Sequence, residues 1–150
     1  MKVADILARK GSVVVTIRPV DSIAMLSRLL GDKRIGAVVV SSDGKAVDGV
    51  ISERDIAYAV SVHKSGLDAL PVSALMTKAV IMCSPNDGIA KVASTMLARN
   101  IRHLPVHDGT ALVGMVSIRD VLNSRLEELQ HETALLRTFV NQTDRDREDR

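Results

Sequence analysis

The stretch Gly49-Val-Ile-Ser-Glu-Arg-Asp55 returns 65 residues later as Gly114-Met-Val-Ser-Ile-Arg-Asp120. Its surroundings return with it. Ile17-Arg-Pro19-Val-Asp21-Ser-Ile23-Ala24 matches Cys83-Ser-Pro85-Asn-Asp87-Gly-Ile89-Ala90. Ile35-Gly-Ala-Val-Val-Val40 matches Ile101-Arg-His-Leu-Pro-Val106, and Asp43-Gly44 matches Asp108-Gly109. The order is kept, with one residue gained or lost near the Asp-Gly turn. One supersecondary unit is written twice.

Each copy opens on a β-branched or apolar run, residues 13–17 and 80–82, that predicts a strand. Pro19 and Pro85 follow, each with an Asp two residues on, which signals a helix start. Asp5, Asp21 and Asp87 all read as helix-start residues. Ile23, Leu26, Leu29 and Leu30 lie at helical spacing in the first copy, as do Ile89, Val92, Ala93, Met96 and Leu97 in the second. A second strand is predicted at 37–40 and 104–106. The Asp-Gly turn leads to a third at 47–51 and 112–116. A closing helix begins at Ser52 or Ser117. The expected fold is α/β: two tandem β-α-β-β-α units, with short helices before them at 3–9 and 72–76. Residues 1–64 form the first repeat and 72–123 the second, joined by a linker around Lys64-Ser-Gly-Leu-Asp68.

Beyond the second unit, Leu122, Leu126, Leu129, Thr133, Leu136 and Val140 are spaced 4, 3, 4, 3, 4, a coiled-coil-like seam on a helical extension over 124–140. Two readings stay open: a helix lying on its own domain, or one pairing between subunits. Residues 141–150 carry mixed charge and no apolar side chain, and are expected to be disordered.

Composition narrows the function. A chain of 150 residues with 46% hydrophobic and 25% charged residues can bury one ordinary core. One Tyr, one Phe and no Trp leave no aromatic platforms for base stacking, and a net charge of +2 is too small for a phosphate-backbone footprint. Nucleic acid is therefore not an expected partner. The single Cys83 excludes an internal disulfide and a cysteine-based zinc site; it reads as a small buried hydrophobe. His63, His107 and His131 lack ligand spacing, so no metal is expected. No apolar run approaches membrane-spanning length, and Asp5 falls where a signal peptide needs apolar residues, so a cytoplasmic location is the default.

The duplication, the strand order and the Gly-h-h-Ser-x-x-Asp ending of both copies resemble the CBS-domain pair, or Bateman module, over about residues 1–123. The resemblance implies two units related by a pseudo-twofold axis, with two clefts between them that commonly bind adenine nucleotides. Ser52-Glu-Arg-Asp55 and Ser117-Ile-Arg-Asp120 carry two readings. One is a capping box. The other is nucleotide contact: the helix N-terminus and Arg serve phosphate, and the Asp accepts ribose hydroxyls. Ile101-Arg102-His103-Leu104-Pro105 is either a polar turn before a buried strand or, in the family, the phosphate-facing centre. The first copy has Gly36-Ala37 in place of Arg-His, so the clefts are not expected to be equivalent.

By the same resemblance, one cleft takes Val14, Ile35, Gly36, Ser117, Arg119 and Asp120. The other takes Val80, Ile101, Arg102, His103, Ser52, Arg54 and Asp55. Ser12 and Lys78 at the strand starts, with Ala37 and Leu104, complete the expected ligand-binding set. Arg102 and His103 suggest that the cleft holding Val80 and Asp55 takes the more phosphorylated ligand, unless Arg102 reaches across to serve both. Glu53 near the phosphates argues for fewer charges there.

The expected function is a stand-alone, non-catalytic regulatory or sensor module binding AMP, ATP or NAD(H). The alternative is a ligand-free dimerisation or interaction scaffold of the same fold. CBS pairs occur attached to enzymes such as inosine-monophosphate dehydrogenase, but no catalytic barrel fits in this length. A homodimer and an unidentified regulated protein are the expected partners.

Overall fold

The structure is a computed structural model that describes residues 1–11 and 13–148. Its elements run α1 (Val3–Lys10), β1 (Thr16–Ile17), α2 (Ile23–Lys33), β2 (Ala37–Val40), β3 (Gly49–Ser52), α3 (Glu53–Val62), α4 (Ile89–Arg99), β4 (His103–His107), β5 (Leu112–Ser117) and α5 (Ile118–Glu148). Short 3-10 turns at Leu67–Ala69 and Val72–Ala74 join the two halves. In the first half β1 pairs parallel to β2, and β2 antiparallel to β3. In the second half β4 pairs antiparallel to β5. The α/β duplication is as the sequence predicts.

The opening strands are shorter than expected. Residues 13–15 stand outside β1, and 80–82 form no strand; only a parallel bridge from Cys83 to Val106 marks the equivalent of β1. These β-branched runs follow the cleft walls instead of extending a ladder. Local chemistry elsewhere follows the residues. The Ser22 hydroxyl caps α2 by accepting from Met25 N–H at 3.2 Å. Asp5, Asp21 and Asp87 each accept a backbone N–H three residues upstream, at 2.7, 2.9 and 2.9 Å. Both hairpin turns put a glycine at positive φ, Gly44 at 79° and Gly109 at 96°.

Two apolar cores form, and their membership is not sequential. The first joins Ile17, Ile23, Leu26, Leu30, Val38, Val40 and Ile51 with Val72. The second joins Cys83, Ile89, Val92, Met96, Leu104, Val106, Val116 and Val121 with Val3 and Ile6. The segment preceding each repeat thus packs on the other repeat, across the expected 1–64 and 72–123 division. The main chain fixes this exchange symmetrically. Val3 and Ala4 N–H donate to Asp87 and Pro85 carbonyls, while Val72 and Ser73 N–H donate to Asp21 and Pro19 carbonyls.

The motif glycines explain themselves here. A Cβ on Gly114 would stand 2.6 Å from Leu7 Cδ2 of α1, and one on Gly49 would stand 2.8 Å from Met76 Sδ and 2.9 Å from Thr77 O. The linker is also partly folded, because Leu67 and Leu70 pack on the first core. At the other end α5 continues to Glu148, through residues expected to be disordered. That run contains neither Gly nor Pro, and Asp144 and Arg147 stand at i,i+3 with opposite charge. Asp149 and Arg150, also expected in the disordered tail, lie outside the described residues. Among the described residues no helix is long and apolar enough to cross a membrane.

Candidate functional site

Both Ser-x-Arg-Asp stretches sit at a strand-to-helix junction, β3 to α3 and β5 to α5. The capping reading is realised in each. Asp55 N–H donates to Ser52 Oγ at 3.4 Å, and Asp55 Oδ2 accepts from Ser52 N–H at 2.8 Å. Asp120 N–H donates to Ser117 Oγ at 3.1 Å, and Asp120 Oδ2 accepts from Ser117 N–H at 2.9 Å. Each box uses Oδ2; among the described residues neither Oδ1 accepts a hydrogen bond. The first helical N–H groups are committed too: Glu53 N–H donates to Gly36 O and Ile118 N–H to Arg102 O. These bonds lock each helix start to the residue that leads into β2 or β4 of its own repeat.

Two clefts open beside these junctions. The cleft at the start of α3, about 310 Å³, is walled by Val80, Ile81, Ile101, Arg102 and His103 of the second repeat and by Ser52, Arg54 and Asp55 of the first. The cleft at the start of α5, about 530 Å³, is walled by Val14, Val15, Ile35 and Gly36 against Ser117, Ile118 and Arg119, with Lys10 and Arg34 at its side. Each cleft therefore combines a strand start from one repeat with a helix start from the other. Gly36, Ala37, Glu53, Arg102 and His103 line both. A Cβ at Gly36 would lie 3.4 Å from Glu53 Oε1 and 3.5 Å from His103 Cε1, so the clefts meet at this point.

Electrostatics distinguish the groups. Burial, then Lys10 and Arg102, hold His103 below its ordinary value against the pull of Glu53 and Asp120. Burial opposes ionisation of Asp120. The Lys10 ammonium at 2.7 Å and the Ser117 N–H outweigh it and hold the carboxyl below the usual range. Burial pushes the Cys83 thiol up to about 12, with Asp87 adding to the effect. Among the described residues no group of His, Cys, Asp and Glu is arranged to hold a metal.

Most of the sequence-predicted set comes together, with four exceptions. Leu104 is 1% exposed and belongs to the second core, because alternation along β4 turns it inward from His103. Lys78 is exposed and outside both walls, beside Thr77, Ala79 and Val80, which do line the cleft. Asp120 stands behind its cleft, drawn back by Lys10. Ser12 lies outside the described residues. Sequence reasoning missed Lys10, Arg34, Thr77 and Asn100 as wall residues; Arg34 and Asn100 share a signal, matched positions at the two helix C-caps, both at φ 52°.

A family model for the CBS domain matches residues 3–62 and again 72–127. The chain belongs to the CBS-domain family, as a tandem pair of repeats. The crystal structure of the CBS-domain containing protein ATU1752 from Agrobacterium tumefaciens superposes with a TM-score of 0.79 at 38% identity, covering 83% of this chain and 99% of that one. The CBS domain pair of protein MJ0100, in complex with 5-methylthioadenosine and S-adenosyl-L-methionine, gives 0.72 at 28% identity, over 87% and 98%. The CBS domain protein PAE2072 from Pyrobaculum aerophilum, complexed with AMP, gives 0.71 at 29%, over 80% and 89%. This chain spans about half, 53%, of the mitochondrial CBS domain-containing protein CBSX3 of Arabidopsis thaliana, which is 30% identical over 71% of this chain.

Proposed function

We propose that this chain is a non-catalytic regulatory module that binds an adenosine-bearing nucleotide, of the AMP, ATP or NAD(H) type, between its repeats. The observation that carries the reading is the composition of each cleft. An apolar strand start from one repeat, Val80-Ile81 or Val14-Val15, faces a Ser-x-Arg helix start from the other. An adenine ring suits the apolar wall, and the Oδ1 of the adjoining Asp can accept ribose hydroxyls while Oδ2 keeps its cap. Phosphates then point to the shared centre, where Arg102 supplies charge-assisted donors. The AMP complex of PAE2072 and the methylthioadenosine and S-adenosylmethionine complex of MJ0100 support the ligand class. We place the protein in the cytoplasm as a homodimer that signals occupancy to a separate regulated protein.

The second reading is a ligand-free scaffold. The closed capping boxes favour it, since they account for both Ser-Asp pairs without a ligand. Thermal unfolding with AMP, ADP, ATP, NAD(H) and S-adenosylmethionine decides. A ligand at a hundred times its Kd stabilises the native state by about 2.7 kcal/mol. No shift with any of the five at millimolar concentration overturns the nucleotide reading in favour of the scaffold.

A further inference from the structure

The two clefts carry different charge. Glu53, Arg102 and His103 reach both, so they cancel from the comparison. What remains in the α3 cleft is Arg54 against the carboxylate of Asp55. What remains in the α5 cleft is Lys10, Arg34 and Arg119, with no acidic residue among its own walls. Asp120 behind that wall offsets only one of the three. The asymmetry runs opposite to the sequence expectation for the α3 cleft, which applies unless Arg102 reaches across to serve both clefts, as it does here.

The carboxylates differ as well. Lys10 Nζ lies 2.7 Å from Asp120 Oδ2 and 3.0 Å from Met115 O. The segment before the second repeat offers no equivalent cation: Met76 there packs toward Gly49 as Leu7 packs toward Gly114. Asp55 thus has no counterpart of this ammonium among the described residues, and its bonds are those of its own cap. A ribose diol entering the α5 cleft meets a carboxylate already neutralised by Lys10 on its Oδ2, whereas one entering the α3 cleft meets a carboxylate held only by its cap.

We infer that the clefts divide the chemistry: the α3 cleft takes the adenosine end of a nucleoside or nucleoside monophosphate, and the α5 cleft is a polyphosphate site, for a nucleoside triphosphate or a free polyphosphate chain. The α3 half of this rests on the nucleotide reading above. Three exposed cations converging on one concave wall raise the local concentration of polyanions, and the effect weakens with salt.

The test is calorimetric titration of the full chain at low salt with adenosine, AMP, ATP and inorganic tripolyphosphate. The variants are Lys10→Met, Arg34→Gln and Arg119→Gln for the α5 cleft, and Arg54→Gln and Asp55→Asn for the α3 cleft. All three α5-cleft cations are exposed, and a melting curve checks that each variant folds. Each loss of an α5-cleft cation should weaken tripolyphosphate and ATP about tenfold and leave adenosine within about threefold; Asp55→Asn should do the reverse. AMP binding without tripolyphosphate binding, or tripolyphosphate binding more sensitive to Arg54→Gln than to Arg119→Gln, overturns the division and leaves the nucleotide reading intact. Tripolyphosphate bound through Lys10 and Arg119 with no adenosine compound bound supports the polyphosphate site and overturns the nucleotide reading. No binding of any of the four overturns both.

Discussion

Leu7 of α1 occupies the space above Gly114 so closely that a side chain there would begin 2.6 Å from Leu7 Cδ2. The matched glycine, Gly49, faces the Thr77 carbonyl at 2.9 Å as well as Met76. A leucine side chain can rotate away, whereas a main-chain carbonyl in the Val50–Thr77 bridge cannot. Gly49→Ala should therefore cost more than Gly114→Ala, both within the overpacking range of about 1–3 kcal/mol. Urea unfolding of the two variants checks the order; equal losses would remove the distinction between the two contacts.

His103 gives a pH dependence with a definite sign. Its folded-state value lies below the ordinary 6.5, chiefly through burial. Such a histidine favours folding above pH 6.5 and costs stability as pH falls below that value toward its folded one. His103→Gln should remove part of the acid-side loss, seen as a flatter melting temperature between pH 7 and about 5. Phosphate bound beside His103 raises its proton affinity, so nucleotide binding below neutrality should take up protons. Titrations in buffers of different ionisation enthalpy measure that uptake; no uptake at pH 6 contradicts the placement of phosphate at the shared centre.

Asp55 and Asp120 should separate function from stability. Removing either carboxylate opens a capping box, at about 0.5–2 kcal/mol. Only at Asp55 is a large loss of adenosine affinity also expected, about ten- to a hundredfold. Calorimetry on Asp55→Ala and Asp120→Ala, with melting curves alongside, distinguishes the two. Unchanged affinity in Asp55→Ala sinks the ribose assignment.

Cys83 should be inert in the native protein. It is buried, and with its thiol pushed up to about 12 the thiolate fraction at pH 8 is roughly one in ten thousand. Ellman's reagent should react only after denaturant is added. Rapid native reaction would show that the second core opens locally.

The dimer proposal concerns α5. Leu122, Leu126, Leu129, Leu136, Phe139 and Val140 are between 44% and 71% exposed. Leu122, Leu129 and Leu136 recur along one seam position and Leu126, Thr133 and Val140 along the other, a pattern compatible with two parallel helices, with Glu132 and Arg137 placed to pair across them. The helix is held to the body up to Glu128, by Arg9–Glu127 and by the Met1 ammonium on Glu128, and Ser124 is buried. Truncation after Gln130 is therefore the clean test. It should leave the melting temperature nearly intact and weaken the dimer at least about tenfold in sedimentation equilibrium; an unchanged dimer would assign association to the remaining body.

Much of this architecture was legible because the duplication aligns residue against residue. Pro19 and Pro85 mark the helix starts, Asp43-Gly44 and Asp108-Gly109 the hairpins, and Ser52 and Ser117 the junctions. The exchange of α1 and the 72–76 segment was not, since Val3, Ile6 and Val72 are generic apolar residues that fit either core. The available signal was the glycine inside each third strand, which demanded a close neighbour without saying which. Residues 13–15 and 80–82 misled because β-branched runs fit a cleft wall as well as a ladder. Lys10 and Arg34 escaped notice because they lie outside the repeated motifs, and the cleft they charge exists only once the repeats face each other.

The exchanged segments bind the two halves of the chain to a common fate. A polypeptide cut between Lys64 and Leu67 would leave one fragment without Val72 and the other without Val3 and Ile6, each an uncovered core. Neither piece holds all it needs, yet each carries what the other lacks. The break point is thus a natural seat for fragment complementation, in which two separately produced halves regain structure only when mixed.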